Sequence, residues 1–213
     1  MAVQKILPVQ NPILRQTSKP VTTFDRKVER IIADLSDTLK IQKDPVGVGL
    51  ASPQIGKNIR LFLIKSGKNI IPFINPEIIW KSEETNDPKP KNRQPRNKKL
   101  TSDNRKLKTD TLSVEAGRRL APEYIMEGCL SLPHYYGPVR RSAAIKVEYQ
   151  TPELANGVWQ MVYREKTLKG LPAQIVQHEV DHLNGILFVD RLLEQKRKLY
   201  QWKDSEWSEV ELP

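Results

Sequence analysis

The stretch Gln177-His178-Glu179-Val180-Asp181-His182 sets two imidazoles four positions apart with a carboxylate between them. On a helix, positions i and i+4 share a face about one turn apart, so His178 and His182 can hold a single ion together. Glu179 then points roughly 100° round the axis from His178, near enough to take a proton from water at that ion without coordinating it. The spacing separates two ligands from one base. The bland alternative is a pair of ordinary half-buried histidines, and a His-Glu-x-x-His pattern also occurs in several metalloenzyme classes, so a third ligand has to be found.

Catalytic zinc-like or ferrous sites commonly take three protein ligands and keep one position for water. The single cysteine, Cys129, sits in Glu127-Gly128-Cys129-Leu130-Ser131, where glycine permits an unusual turn directly before a thiolate ligand. Taken alone, a lone cysteine reads as a small buried apolar residue. In Gly47-Val48-Gly49-Leu50-Ala51-Ser52-Pro53-Gln54, small residues let backbone approach a ligand closely, but the segment lacks the spacing and the lysine of a phosphate loop. The Gln54 amide could donate to oxygen charge developing on a carbonyl, alongside the N–H of Leu130; its ordinary alternative is a loop side chain bonding backbone. The chemistry expected of such a set is hydrolysis of an amide-like carbonyl. The ion acidifies water, Glu179 takes the proton and later returns it to the departing amine, and Gln54 and Leu130 share the negative charge on oxygen.

A helix is expected to position the histidines. Pro172 suits its first turn, Asn184-Gly185 supplies a stop, and Leu171, Ile175, Val176, Val180 and Leu183 cover a core-facing side. Thr22, Thr23 and Asp25 lead into Val28, Ile31, Ile32, Leu35 and Leu39, the spacing of a second helix just ahead of the glycine motif. Strand-like runs cover 59–64, 144–149 and 158–163, the last two joined by Asn156-Gly157 as a hairpin turn. The fold class expected is α+β, with antiparallel sheets around a central metal-binding helix.

Taken in chain order, Gly-Val-Gly-Leu-Ala-Ser-Pro-Gln, Glu-Gly-Cys-Leu-Ser and Gln-His-Glu-Val-Asp-His resemble the three signature motifs of the peptide deformylases. Asn11-Pro12-Ile13-Leu14-Arg15 and Leu183-Asn184-Gly185-Ile186-Leu187-Phe188 resemble that family too, so the likeness covers most of the chain. It implies a metal-dependent hydrolase that removes the formyl group from the N-terminal formyl-methionine of nascent polypeptides and releases formate. Cys129, His178 and His182 would be the metal ligands, Glu179 the general acid/base, and Gln54 with the Leu130 N–H the oxyanion donors. The resemblance favours Fe2+ as cofactor, with Ni2+, Co2+ or Zn2+ as substitutes, although Cys-His-His ligation by itself accepts several ions. Val48, Gly49, Leu171 and Gln174 are candidates for binding the substrate, and Arg141 for pairing with Glu127 to fix the cysteine loop.

Several features depart from the family pattern. Ser52 stands where alanine is usual, and Tyr136 where many relatives carry a residue contacting the substrate backbone. From about 81 to 108 runs a basic insertion rich in Lys, Arg, Pro and Asn, with too few apolar residues to offset its ordering entropy, which reads as a disordered loop. It accounts for much of the formal net charge of +10 and is either a cationic arm for ribosomal RNA or a solvated, tolerated insertion. A C-terminal extension over about 189–213, with Leu192, Leu193, Leu199 and Trp202 on one side and Arg191, Lys196, Arg197 and Lys198 on another, reads as a terminal helix. It either packs on its own domain or docks on the ribosome. His134 matches no ligand position.

Length and composition, 213 residues with 38% hydrophobic content, suit a single catalytic domain over 1–213. One cysteine excludes an internal disulfide framework, and with no early apolar run long enough for a signal or a membrane span, the expected setting is a reducing cytoplasm and the expected state a monomer. Two rival functions remain open at this level. One is a zinc endopeptidase taking Glu194 or Glu206 as third ligand instead of Cys129. The other is a non-catalytic ribosome-binding protein.

Overall fold

The structure, a computed structural model, describes residues 2–87 and 125–212. Helix α1 (Arg26–Ile41) starts where the sequence places it, because the Asp25 carboxylate accepts from the backbone N–H groups of Lys27 and Val28, both at 2.9 Å. Its apolar stripe, Val28, Ile31, Leu35 and Leu39, is buried. Helix α2 (Leu171–Leu183) carries Pro172 in its first turn and stops at Asn184-Gly185. Gly185 has φ 73°, and a Cβ there would stand 2.6 Å from the carbonyl oxygen of Arg15, so no other residue fits the close approach.

Two antiparallel sheets enclose α2. The first has the order β1 (Gly49–Ala51), β2 (Leu61–Ser66), β3 (Asn69–Lys81), β6 (Ala144–Ala155), β7 (Val158–Lys169). Strands β6 and β7 pair without interruption from Ala144↔Lys169 to Ala155↔Val158. Asn156 and Gly157, at φ 51° and 76°, supply the two left-handed residues that a two-residue hairpin turn requires. The expected runs at 144–149 and 158–163 are therefore the first halves of strands twice as long, each extended by pairing with the other strand. The run expected at 59–64 shifts to Leu61–Ser66, since Arg60 and Ile59 bond to the segment around Lys19 instead.

The second sheet has the order β4 (Glu127–Cys129), β5 (Leu132–Gly137), β8 (Leu199–Lys203), β9 (Glu206–Val210). Here the expected terminal helix is corrected. Only α3 (Phe188–Glu194) is helical, and the chain then reverses and forms the β8–β9 hairpin, with Tyr135↔Gln201 and Tyr136↔Tyr200 joining β8 to β5. Lys196, at φ 53°, breaks the helical path, and the free edge of β5 offers the later residues a ladder. Leu192 and Leu199 are buried all the same, while Leu193 is exposed, so the apolar spacing marked burial in part and secondary structure wrongly.

The described part of the segment expected to be an insertion, 81–87, is attached to the body of the fold. Lys81 ends β3, Thr85 bridges to Ser142, and Asn86 accepts from the Arg141 backbone N–H at 2.8 Å while donating to the Val139 carbonyl at 3.1 Å. Residues 82–87 are thus fastened to the loop before β6, and the expectation for 88–108 lies outside the described residues. Three apolar clusters organise the molecule: one between the five-stranded sheet and α2, one between that sheet and α1, and one joining β4, β5 and β8 to α3 and Leu14. Cys129 belongs to the third, at the seam where the four-stranded sheet meets α2.

Candidate metal centre

Along α2, a stripe of Leu171, Ile175, His178 and His182 faces the end of β4. The ladder between β4 and β5 shifts register after Gly128↔Tyr136, and this irregularity turns Cys129 toward the helix. The Cys129 Sγ stands 3.2 Å from His182 Nε2, which is 3.1 Å from His178 Nε2, and the three ligand atoms all lie within 4.8 Å of one another. With metal–nitrogen bonds of about 2.0–2.1 Å and metal–sulfur of about 2.3 Å, a tetrahedral set holds its donors roughly 3.3–3.6 Å apart, so these residues fit one ion. Among the described residues, this is the group of Cys, His and carboxylate side chains that converges on a point. Glu194 instead pairs with Arg191 at 2.9 Å and Glu206 is exposed on β9, which disposes of both as third ligands.

The ring of His178 is aimed by its far nitrogen. Nδ1–H donates to Glu127 Oε1 at 2.8 Å, which assigns the tautomer and leaves the Nε2 lone pair directed at the cluster. Arg141 grips the same carboxylate through Nε at 3.0 Å and Nη2 at 2.7 Å, the pairing expected from the sequence, and Gln174 Nε2 adds a longer bond at 3.3 Å. Burial alone would raise the Glu127 carboxyl, but Arg141 and His178 outweigh it and bring it down to about 2. Arg141 also donates to Asp181 Oδ2 at 2.5 Å, and Asp181 receives Arg191 through Nε at 3.0 Å and Nη2 at 2.7 Å. This second tie runs from α3 through α2 to β4 and holds the helix that carries both histidines. Sequence reading missed Asp181 and Arg191; an Asp within the histidine motif and an Arg one short helix later were the available signals.

Cys129 is buried, which opposes ionisation, yet His182 and His178 beside it bring the thiol well below its ordinary value, the state a metal ligand needs. His182 Nδ1 is buried without a hydrogen-bond partner among the described residues.

Glu179 is 3% exposed, and its Oε2 likewise has no partner. Burial pushes its carboxyl up to about 7; His178 and His182 pull the other way, while Cys129 and Glu127 add to the rise. Its space depends on Gly49, where a Cβ would sit 2.3 Å from Glu179 Oε1. The glycine motif thus leaves room for the carboxylate itself, a role the sequence alone did not suggest. Gln54, 2% exposed in the 3-10 turn Ser52–Ile55, accepts from the Ala51 N–H at 2.9 Å. That bond orients its amide NH2 toward Ser131 Oγ at 3.2 Å and Cys129 Sγ at 3.4 Å. Leu130 occupies the turn that follows Cys129.

A cavity of about 140 Å³ opens over these groups, walled by Val48, Gly49, Gln54, Leu130, Leu171 and Gln174 together with Cys129, His178 and Glu179. All the expected substrate-side residues therefore border one space. Gln174 has its amide committed to Glu127 and Asn86, which makes it a support of the ligand shell as well as a wall. Tyr135, Tyr136 and His134 complete the rim, His134 with φ 67° and its ring 4.0 Å from the Asp44 carboxylate. Trp207 of β9 meets Tyr136 edge-on at 5.4 Å, so the C-terminal hairpin backs this wall.

Comparison with known proteins agrees with this geometry. The family model described as polypeptide deformylase matches residues 3–91 and 113–198. The chain is 34% identical over 189 residues to a peptide deformylase of Thermotoga neapolitana, covering 89% of this chain and 87% of the relative. To a peptide deformylase of Brucella suis it is 33% identical over 204 residues, with 93% and 90% covered. The crystal structure of peptide deformylase from Thermotoga maritima superposes with a TM-score of 0.64 at 32% identity, covering 90% of this chain and 98% of the other.

Proposed function

Because this chain belongs to the polypeptide deformylase family, we propose that Cys129, His178 and His182 hold the catalytic ion and that Glu179 moves the proton in its reaction. That reaction is the metal-dependent hydrolysis of the formyl group from the N-terminus of nascent peptides, with release of formate. The observation that carries the assignment is the convergence of one sulfur and two ring nitrogens beside a buried carboxylate oxygen with no partner among the described residues.

An ion bound there supplies Lewis acidity, acidifying water and polarising the formyl carbonyl. Glu179 accepts the proton of the attacking water at its unpartnered Oε2 and delivers it to the methionine nitrogen as the C–N bond breaks. Its raised carboxyl, near neutrality, suits a group that must take and give a proton in one cycle. The Gln54 amide, held by the Ala51 N–H, and the Leu130 backbone N–H donate to the carbonyl oxygen as it gains charge. Val48, Gly49, Leu171 and Gln174 border the methionine side chain and exclude water from it. Glu127 and Arg141 keep His178 in the tautomer that presents Nε2.

The ion proposed is Fe2+, with Ni2+, Co2+ and Zn2+ as substitutes; a donor set with one thiolate and two imidazoles accommodates all four. The setting proposed is a monomer of one catalytic domain in the cytoplasm, consistent with one free cysteine and with no described helix long and apolar enough to cross a membrane. Transient contact with the ribosome is proposed for the basic segment. The decisive experiment measures formate release from a formyl-methionyl peptide by anaerobically prepared protein, with metal content determined on the same sample. Turnover proportional to bound metal is expected, and turnover by metal-free protein would refute the ligand assignment.

A further inference from the structure

A larger cavity, about 500 Å³, opens against a different stripe of α2. Gln177, Asp181 and Asn184 line it, a row set about 100° round the axis from His178 and His182. Five cationic side chains, Arg60, Lys81, Arg140, Arg141 and Arg191, border this space, against the two carboxylates Glu77 and Asp181. Arg141 and Arg191 are committed to Glu127, Asp181 and Glu194. Among the described residues that line the cavity, the remaining three cations face one further carboxylate, Glu77, which leaves a local surplus of positive charge inside a concave space.

These three are held or free in ways that suit a ligand. Among the described residues the Arg60 guanidinium is fixed by neutral acceptors, Asn184 Oδ1 at 2.9 Å and the Pro76 carbonyl at 3.2 Å. Burial pushes it below its ordinary value and Glu77 opposes that in part, so it is a desolvated cation short of countercharge. Lys81 and Arg140 have no side-chain ion pair among the described residues. The backbone of Arg140 is nevertheless pinned from both sides by Gln195, which accepts from its N–H at 2.7 Å and donates to its carbonyl at 3.1 Å. The cavity is therefore lined by one guanidinium held by neutral acceptors and by two cations on anchored backbone whose charged ends have no ion pair among the described residues. Guanidinium forks match oxyanions in pairs of parallel hydrogen bonds, and the volume exceeds what a carboxylate would fill.

We propose that this cavity is a binding site for a phosphate-type oxyanion, supplied either as free di- or polyphosphate or by the phosphates of an RNA strand. Its residues are distinct from the ligands of the metal centre, so the site stands whatever ion the chain carries. The test is calorimetric titration of the metal-loaded protein with pyrophosphate at constant ionic strength. Saturable binding at one site is expected, weakened about tenfold or more in the double variant Lys81→Ala, Arg140→Ala and kept in the charge-conserving double variant Lys81→Arg, Arg140→Lys. A short oligoribonucleotide that displaces pyrophosphate, with affinity falling steeply with salt, identifies the strand as the source; one that fails to displace it identifies the free anion. Absence of saturable heat overturns the proposal. So does pyrophosphate binding that is equally tight in the alanine double variant, which would locate the anion on the metal instead.

Discussion

The β4 side and the α2 side of the metal centre each contribute a buried glutamate, and the two are held in opposite states. Glu127, on β4, is enclosed by the Arg141 fork and by His178 Nδ1–H, and its carboxyl lies near 2. Glu179, on α2, is buried to a similar degree but keeps one oxygen without a partner among the described residues, and burial pushes its carboxyl up to about 7. Burial penalises the charged form at both, so partners decide the outcome. A carboxylate with every lone pair engaged orients a ligand permanently; one left short of partners is available to exchange a proton.

Substitutions at the two glutamates should therefore fail in different ways. Glu179→Ala is expected to cut kcat by about a thousandfold or more while metal content by elemental analysis stays near one ion per chain. Retained turnover would remove the functional half of the contrast. Gln54→Ala should lower kcat by about a hundredfold, less than loss of the base, because the Leu130 N–H still serves the oxyanion. Glu127→Ala acts on the other side: metal affinity should fall about 10- to 100-fold in a chelator competition, since His178 loses the acceptor that fixes its ring. If Glu127→Ala held metal as tightly as the parent, the orienting role would be wrong.

Acid unfolding sharpens the same comparison. The depressed Glu127 carboxyl contributes stability that is fully present above the ordinary carboxylate range and is lost as pH falls through it toward about 2. In metal-stripped protein, Glu127→Gln should flatten the pH dependence of unfolding in that window, measured by denaturant titration. The smallest effect is expected of Arg191→Ala. Arg191 is 28% exposed and Arg141 still holds Asp181, so a loss of about 1 kcal/mol in stability with nearly unchanged metal affinity is anticipated.

What could be read from the chain and what could not divides along sequence separation. The pair His178 and His182, the carboxylate of Glu179 between them, and the helices α1 and α2 were all legible, since helical periodicity and capping act over a few residues. The Asn156-Gly157 hairpin was legible for the same reason. The C-terminal segment was misread as a helix because its apolar spacing reports burial, while the decision for β8 and β9 came from the open edge of β5, some sixty residues earlier. Residues 82–87 read as part of a solvated insertion, but Asn86 docks on Arg141 and Val139.

The amino-acid sequence by itself determined the chemical inventory: one thiol, two imidazoles one turn apart, a carboxylate rotated off their face, and an amide behind a run of small residues. These follow from residue type and local spacing, which need no knowledge of distant contacts. Only the tertiary structure decided that Cys129 reaches His182, that Gly49 clears the space Glu179 occupies, and that Arg141 and Arg191 brace the helix through Asp181. Those depend on strand pairing and register across most of the chain, where a single-residue shift would turn the cysteine to the opposite face of its strand.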